Sequence, residues 1–273
     1  MPRGLPLFTF LWAFCAVGVS MAQPSPDYKP ELAQSGKDVV WVPTPDALVN
    51  RMLDLAQLSA RDYLIDLGSG DGRLVIMAAK RGAQGHGIEY SADLVALSQR
   101  TAQRAGVEDK ATFAKADLFD SDFSKATVVT LFLGPDLNRK LMSKLLNLKP
   151  GTRIVSNTHP IGDWPADESA ESADDENTVY YRNALLWIVP AKVAGAWRFA
   201  GGSVNFRQRY QRVSGSVTLQ GKSAPVTSAK LRGDEIRFSA GGAQFSGKVN
   251  GDVIAGTVTT GGASREWRAE RAR

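Results

Sequence analysis

Apolar and polar residues alternate in two different ways along this 273-residue chain. Up to about residue 190, short apolar runs are separated by stretches in which apolar residues recur with a helical period. Beyond that point, short alternating runs are separated by glycine-rich turns. The first pattern predicts a mostly parallel sheet covered by helices on both faces, and the second predicts an antiparallel β domain. We therefore expect an α/β domain followed by a smaller all-β domain.

The first pattern predicts four helices and seven strands. Asp46 to Leu58 has one apolar side and follows Pro45, a residue suited to a helix start. The other helices are expected at 72–81, 91–105 and 135–147, and five strands at 62–67, 84–89, 111–116, 126–133 and 152–157. Thr178 to Arg182 and Leu185 to Val189 would complete a seven-stranded sheet.

The second pattern predicts six to eight short strands in a small antiparallel barrel or sandwich. Its alternating runs include 203–210, 214–219, 229–231, 235–239 and 253–259. Aromatic residues spaced along strands usually pack inside such a domain. The expected core residues are Trp197, Phe199, Phe206, Phe238, Phe245 and Trp267. A ligand-binding barrel mouth is the alternative to a fully packed interior.

Candidate chemistry lies in the loop after the first predicted strand, within LIDLGSGDGR from Leu64 to Arg73. Glycines in this loop lack a Cβ and allow the backbone to turn sharply beside a ligand, which in open α/β sheets binds beyond the strand ends. The spacing differs from the dinucleotide pattern G-x-G-x-x-G, and Asp66 and Asp71 would repel a pyrophosphate. A ligand with ammonium and sulfonium charges, such as S-adenosylmethionine, suits these carboxylates.

Two further acids end the next two predicted strands. Glu89 ends the second strand and can accept hydrogen bonds from both ribose hydroxyls of a nucleoside. Asp117 follows the third strand and can bond an adenine amino group. Any one of these acids alone is compatible with a solvated loop, but together they predict a nucleoside pocket with an amino-acid tail.

Residues from about Val42 to Trp164 resemble class I S-adenosylmethionine-dependent methyltransferases. They are similar in particular to the small protein-lysine methyltransferase family whose mitochondrial members modify the ATP-synthase c subunit and the adenine nucleotide translocase. The motifs that carry the resemblance are VPTP at 42–45, DLGSGDGR at 66–73, GIEYSADLVALSQ at 87–99, KADLF at 115–119, LFLGP at 131–135 and KPGTRIVSNTHPIGDW at 149–164.

The resemblance implies a Rossmann-like methyltransferase domain over residues 42–190, with S-adenosylmethionine as methyl donor and no metal. It implies transfer to an acceptor amine, in the first place a lysine of a protein substrate. The implied cofactor-binding residues are Thr44, Asp66, Gly68, Ser69, Gly70, Asp71, Glu89 and Asp117.

The acceptor pocket is expected beyond the fourth and fifth strands. Methyl transfer depends mainly on holding two reactants aligned at about 3 to 3.5 Å, so we assign no catalytic residue. The candidate pocket residues are Phe132, Pro135, Asn157, His159 and Trp164. Asn157 would hold the amine by its carbonyl, and Trp164 would wall the channel. His159 is either a general base or a structural hydrogen-bonder at a bend.

Two other functions stay open at this point. One is a non-catalytic nucleoside-binding sensor or envelope adaptor, and the other is a small-molecule or nucleic-acid methyltransferase. Amine-methylating nucleic-acid enzymes often carry Asn-Pro-Pro-Tyr or Asp-Pro-Pro-Tyr after the fourth strand, where this chain has Leu133-Gly134-Pro135-Asp136. A nucleic-acid partner is accordingly disfavoured.

Residues 1–22 are typical of a cleavable secretory signal, with Arg3, an apolar stretch and small residues before Gln23. An uncleaved membrane anchor is the alternative, although the apolar run is shorter than the roughly 18 residues that span a bilayer. We expect an exported, periplasmic or secreted protein, with residues 23–41 as an N-terminal extension. The single cysteine, Cys15, lies inside the signal, so neither disulfides nor thiolate metal sites are expected in the mature chain.

Charge divides the chain at the same point as the hydrophobic pattern. Residues 23–190 contain 18 basic and 23 acidic residues, whereas 191–273 contain 14 and 5. The basic C-terminal domain, 191–273, permits contact with anionic envelope or membrane surfaces. Asp167 to Glu176 carries six carboxylates in ten residues and is expected to be a solvated loop or an electrostatic guide for a cationic substrate.

Overall fold

The computed structural model describes residues 28–172 and 181–272, which form two β-sheets. The chain passes from the first sheet to the second between Ile188 and Gly195. The expected signal segment, 1–22, lies outside the described residues. Within the described ranges, none of the helices has both the length and the apolar character needed to span a bilayer.

The first sheet has seven strands in the order β3-β2-β1-β4-β5-β7-β6. Their bounds are β1 (Tyr63–Leu67), β2 (Gln84–Glu89), β3 (Ala111–Lys115), β4 (Val128–Leu131), β5 (Arg153–Asn157), β6 (Glu168–Glu171) and β7 (Asn183–Ile188). Strands β1 to β5 pair in parallel, whereas β7 runs antiparallel to both β5 and β6. The strand order reverses between β1 and β4, which is where an open α/β sheet binds its ligand.

Within residues 28–172 and 181–272, four helices cover this sheet on both faces. They are α1 (Asp46–Leu55), α2 (Arg73–Lys80), α3 (Ala92–Arg104) and α4 (Pro135–Leu146). Helices α1, α2 and α3 bury their apolar sides in one cluster with residues of the sheet. Helix α4 contributes Leu137, Leu141 and Leu145 to a second cluster. The predicted α/β fold is confirmed.

The sixth strand lies elsewhere than predicted. Residues 178–180 of the expected strand fall outside the described residues, and 181–182 are not in a strand. Instead β6, Glu168–Glu171, lies within the acidic stretch and pairs with β7 at the sheet edge. Its backbone bonds stabilise it while three of its four residues stay exposed, and charges on an edge strand discourage pairing with other chains.

The second sheet has nine antiparallel strands, more than the six to eight expected, in the order β11-β10-β9-β8-β16-β15-β14-β13-β12. Their bounds are β8 (Gly195–Phe199), β9 (Gly202–Arg209), β10 (Arg212–Leu219), β11 (Lys222–Pro225), β12 (Thr227–Arg232), β13 (Glu235–Ala240), β14 (Ala243–Asn250), β15 (Val253–Thr260) and β16 (Ala263–Arg271). Val226, between β11 and β12, donates its N–H to Gly215 of β10 at 2.9 Å, so the edges meet in a nearly closed barrel.

Aromatic rings fill the barrel interior. The rings of Phe238 and Phe245 stack with centroids 4.7 Å apart, and Trp267 meets Phe245 edge-on at 5.2 Å. Trp197 and Phe206 are also buried in this cluster. The predicted aromatic residues therefore supply the core.

The barrel packs against the loop that follows β5. Trp164 of this loop stacks on Tyr210, with ring centroids 6.0 Å apart, and its indole N–H donates to Gln211 Oε1 at 3.0 Å. Tyr210 also donates its hydroxyl to Asp163. Both Tyr210 and Gln211 lie in the turn between β9 and β10. The barrel thus contacts the first sheet on its β5 side.

Candidate functional site

A cavity of about 350 Å³ lies at the carboxyl ends of β1, β2, β3 and β4. Its wall contains all eight residues that the sequence predicts to bind the nucleoside: Thr44, Asp66, Gly68, Ser69, Gly70, Asp71, Glu89 and Asp117. The chain before α1 forms much of the remaining wall. The structure thus brings the predicted residues together, while their binding role stays a prediction.

The glycine loop takes a shape that other residues rarely adopt. Gly68, Gly70 and Gly72 have φ values of +79°, +55° and +80°. A Cβ at Gly72 would lie 2.7 Å from Phe113 and from Ser98, so packing also leaves no room for a side chain at that position. The N–H of Gly68 donates to the Ile88 carbonyl at 2.9 Å. The loop is therefore pinned to β2, with its backbone facing the cavity.

Glu89 ties the end of β2 to the glycine loop. Its Oε2 accepts the Gly70 N–H at 2.9 Å, and its Oε1 accepts the Ser91 N–H at 2.9 Å. A carboxylate has about four acceptor positions, so two remain for a ligand. This geometry places Glu89 where it can accept from a pair of ribose hydroxyls.

Asp66 is a buried carboxyl group at the floor of the cavity, 5 % exposed. Thr130 donates its hydroxyl to Asp66 Oδ1 at 2.8 Å. Burial raises the pKa of Asp66 to about 7, and the nearby charges of Glu89 and Asp71 act in the same direction. A cationic ligand beside Asp66 would stabilise its ionised form and so offset the free-energy cost of burying that charge.

Asp117 already has two donors. Its Oδ1 accepts the Phe119 N–H at 2.8 Å, and its Oδ2 accepts a hydrogen bond from Lys37 Nζ. The hydrogen bond from Lys37 holds the pKa of Asp117 below its ordinary value. Lys37 Nζ also lies 5.0 Å from the ring centroid of Tyr90. The predicted adenine-binding group is therefore paired with a lysine from the N-terminal part of the chain.

That lysine belongs to a segment of which the sequence analysis placed only Thr44 in the site. Residues 34–44, here called the cover, all line the cavity. Two backbone bonds, Ala33 N–H to Trp41 O and Trp41 N–H to Gln34 O, both 2.9 Å, close a loop. A Cβ on Gly70 would lie 2.8 Å from Trp41 Nε1, so the indole packs directly on the glycine loop. The apolar run just before the VPTP motif was the available signal.

The cavity fits a nucleoside that carries a cationic tail. Five carboxylates line it, at Asp38, Asp66, Asp71, Glu89 and Asp117, and they outnumber the two basic side chains of the wall, Lys37 and Arg73. The buried Ser69 hydroxyl has no hydrogen-bond partner within the described residues, which leaves it available to a ligand. Histidine, cysteine and acidic side chains form no group suited to a metal ion in the described ranges.

The residues predicted to form the acceptor pocket differ in their position relative to the cavity. Phe132 lines the cavity, whereas Pro135, Asn157, His159 and Trp164 are not part of its wall. The Asn157 side chain donates from Nδ2 to Thr44 Oγ1 at 3.2 Å and accepts the Thr158 hydroxyl at 2.9 Å. Asn157 therefore holds Thr44 of the cover, and its carbonyl keeps one acceptor position, so its expected contact with an amine stays a prediction.

Trp164 does not wall the channel as expected. It is 1 % exposed, because it packs between Trp187 of β7 and Tyr210 of the barrel. Pro135 opens α4 on the surface. His159 is half-buried, and this burial lowers its pKa.

Comparisons with known proteins agree with this geometry. A family model described as the ANTKMT methyltransferase domain matches residues 66–168. A protein-lysine N-methyltransferase of Saccharolobus islandicus is 40 % identical over 147 residues, which cover 52 % of this chain and 91 % of the archaeal protein. This chain belongs to that methyltransferase family. It is an S-adenosylmethionine-dependent methyltransferase, and the expected resemblance is confirmed.

Other relatives match the same part of the chain. The mouse ATP synthase c-subunit lysine N-methyltransferase is 37 % identical over 125 residues, which cover 45 % of this chain and 51 % of the mouse protein. A crystal structure described as an RNA methyltransferase from Salinibacter ruber, in complex with S-adenosyl-L-homocysteine, is 44 % identical. It covers 56 % of this chain and 96 % of that chain, with a TM-score of 0.51.

Proposed function

We propose that this methyltransferase acts on the side-chain amine of a lysine in a protein substrate. The observation that carries the proposal is the 40 % identity with a protein-lysine N-methyltransferase over 91 % of that relative. The mouse relative, a lysine methyltransferase of the ATP-synthase c subunit, supports the same acceptor chemistry. It is matched over only about half its length, so its substrate is not transferred to this chain.

The residues of the chain bind and orient the two reactants and do not transfer protons. S-adenosylmethionine supplies a methyl group on a positively charged sulfur. Asp66 balances positive charge at the cavity floor, Glu89 offers free acceptor positions, and the cover shields the cavity from water. Because a nearby positive charge favours a neutral amine, a lysine that moves up to the sulfonium of the bound cofactor loses its proton more readily than in water. Alignment of the reactants then accounts for most of the acceleration.

The test is to identify the product amino acid. Purified full-length protein is incubated with a protein extract and S-adenosylmethionine labelled in its methyl group, and the labelled protein is hydrolysed in acid. We expect the label in N6-methylated lysine, and an Asp66→Ala control should show none above background. Acetylating the lysines of the extract beforehand should abolish labelling. Label in another amino acid would refute the lysine proposal.

An RNA acceptor is the second candidate, because the Salinibacter ruber relative at 44 % identity is described as an RNA methyltransferase. The absence of a nucleic-acid-type motif at Leu133 to Asp136 disfavours it. The same labelling with total RNA, followed by nuclease digestion, separates the two candidates. Label in a nucleoside and none in lysine would replace the first proposal by the second.

We infer in addition that the protein is exported by its first 22 residues, and that its basic C-terminal domain contacts an anionic envelope or membrane surface. The supporting observations are the signal-like sequence and the excess of basic residues after 191. Cell fractionation with sequencing of the mature amino terminus tests export. A chain that starts at Met1 and stays in the cytosol would contradict it. Flotation with anionic and neutral vesicles tests the surface contact.

A further inference from the structure

Three partly exposed aromatic rings meet beyond the strand ends on the β4 side of the cavity. Phe132 follows β4, His159 follows β5, and Tyr181 precedes β7. The Phe132 and His159 rings lie 19° from parallel with centroids 6.1 Å apart. Tyr181 stands at 70° to Phe132 and 69° to His159, with centroids 5.0 and 6.3 Å away. We call these residues the aromatic trio.

The sheet order explains why the trio adjoins the cavity. Strands β4, β5 and β7 are neighbours, so their ends on this side bring the three rings together. Phe132 belongs both to the trio and to the cavity wall, whereas Glu89 and Asp117 line the cavity at the ends of β2 and β3. The trio therefore lies on the side of the cavity where an acceptor would approach.

An unusual backbone turn holds one ring in the trio. Thr158, just before His159, has a φ of +58°, which is costly for a β-branched residue. Its N–H donates to the Asn183 carbonyl at 2.7 Å, and its hydroxyl donates to Asn157 Oδ1 at 2.9 Å. These bonds offset the strain and fix the direction of the chain at His159. Strain kept in this way often marks a functional site.

The arrangement suits a cation. An aromatic face attracts an ammonium group within about 6 Å of its centroid. The three centroids lie 5.0, 6.1 and 6.3 Å apart, so an ammonium group that sits on the open face of one ring also lies close to the other two. Burial lowers the pKa of His159, which leaves its ring uncharged near neutral pH and free of repulsion toward a cation.

We propose that the aromatic trio is the acceptor subsite, where it binds the lysine side chain as a cation and its methylated product, with Tyr181 as a specificity-determining wall. The inference rests on the proposed lysine function. The trio recruits the charged amine and holds the methylated ammonium, and transfer takes place on the neutral amine after the proton has left to solvent.

Calorimetric titration tests the subsite without turnover. Full-length protein saturated with S-adenosylhomocysteine is titrated with Nα-acetyl-trimethyllysine amide and with its uncharged isostere, in which carbon replaces the ammonium nitrogen. We expect the cation to bind at least tenfold more tightly than the isostere. Tyr181→Leu should weaken cation binding by about tenfold, whereas Tyr181→Phe, which keeps the ring, should stay within about twofold.

His159 provides a second pair of variants. His159→Phe keeps an aromatic face and should retain cation binding, whereas His159→Gln should lose most of it. If both His159 variants lose binding equally, or if the cation and the isostere bind alike, the subsite is refuted. Unchanged affinity for S-adenosylhomocysteine in every variant shows that the fold and the nucleoside site are intact.

The lysine function and the cation-binding subsite can be refuted independently of each other. Cation binding that depends on Tyr181, in a protein that labels no lysine, would keep the subsite and overturn the lysine function. Lysine labelling that is unaffected by Tyr181→Leu, together with unchanged cation binding, would keep the lysine function and overturn the subsite.

Discussion

Cofactor binding should tighten steeply as the pH rises from 5.5 to 7.0, because Asp66 must ionise to face a cationic ligand. Asp66 is buried, and its pKa without ligand is about 7. The protonated form therefore outnumbers the ionised form by about thirtyfold at pH 5.5, and the two are about equal at pH 7.0. If the ligand binds only the ionised form, its Kd falls on the order of tenfold over this range.

Calorimetry with S-adenosylmethionine at the two pH values measures this change, and repeating it in buffers of different ionisation enthalpy counts the protons released. An α-amino group has a pKa near 8, so the ligand keeps its charge throughout. Asp66→Asn should bind more weakly and lose the pH dependence. His159→Gln, which alters the other titrating group near the site, should keep it. An equal Kd at both pH values in the unmodified protein would refute the reasoning.

The same carboxyl group should destabilise the protein without ligand. Because its folded pKa is raised, Asp66 favours the folded state fully below its unfolded pKa near 4, and this contribution is lost as the pH rises to about 7. The loss is on the order of 4 kcal/mol above pH 7. Asp66→Asn should therefore raise the Tm of the ligand-free protein at pH 8 and change it little at pH 4. A lower Tm at pH 8 would contradict this.

Three further changes test the site. Glu89→Gln should weaken S-adenosylmethionine binding by about 2 kcal/mol, or roughly thirtyfold in Kd, measured by calorimetry, because a charged acceptor becomes neutral. Gly72→Ala should cost about 3 kcal/mol in urea unfolding, since its Cβ would overlap neighbours, whereas Gly106→Ala, with no atom within 4 Å, should cost about 1 kcal/mol. Lys37→Ala should tighten nucleoside binding by freeing Asp117, and weaker binding would show that Lys37 instead holds the bound nucleoside.

The cofactor half of the cavity could be predicted because its determinants are local. Glycines with positive φ follow a buried strand, and Glu89 and Asp117 follow the next two strands in sequence. Parallel strands bring their carboxyl ends to one edge, so residues after successive strands converge without any knowledge of packing. The observed cavity wall includes Gly68, Gly70, Glu89 and Asp117.

The remaining parts depend on contacts between distant segments. The cover has no helical or strand period, and its position is set by Trp41 packing on Gly70. Strand β6 has no apolar pattern, because backbone pairing with β7 stabilises it. Trp164 was expected at the channel, but it is buried by Tyr210, which lies 46 residues later in the chain. No local sequence pattern predicts that Trp164 packs against Tyr210.

The methyl acceptor of this enzyme cannot be inferred from its relatives alone. The family match ends at residue 168, and the barrel after it packs on the loop that follows β5. Tyr210 and Arg209 both bond Asp163, and Gln211 bonds the Trp164 indole, only four or five residues beyond His159. The glycine loop, Glu89 and Asp117 lie within the shared segment, whereas the cover before it and Tyr181 after it do not. The identity of the substrate must therefore be determined on the full chain, since the barrel covers Trp164 and contacts the loop that carries His159.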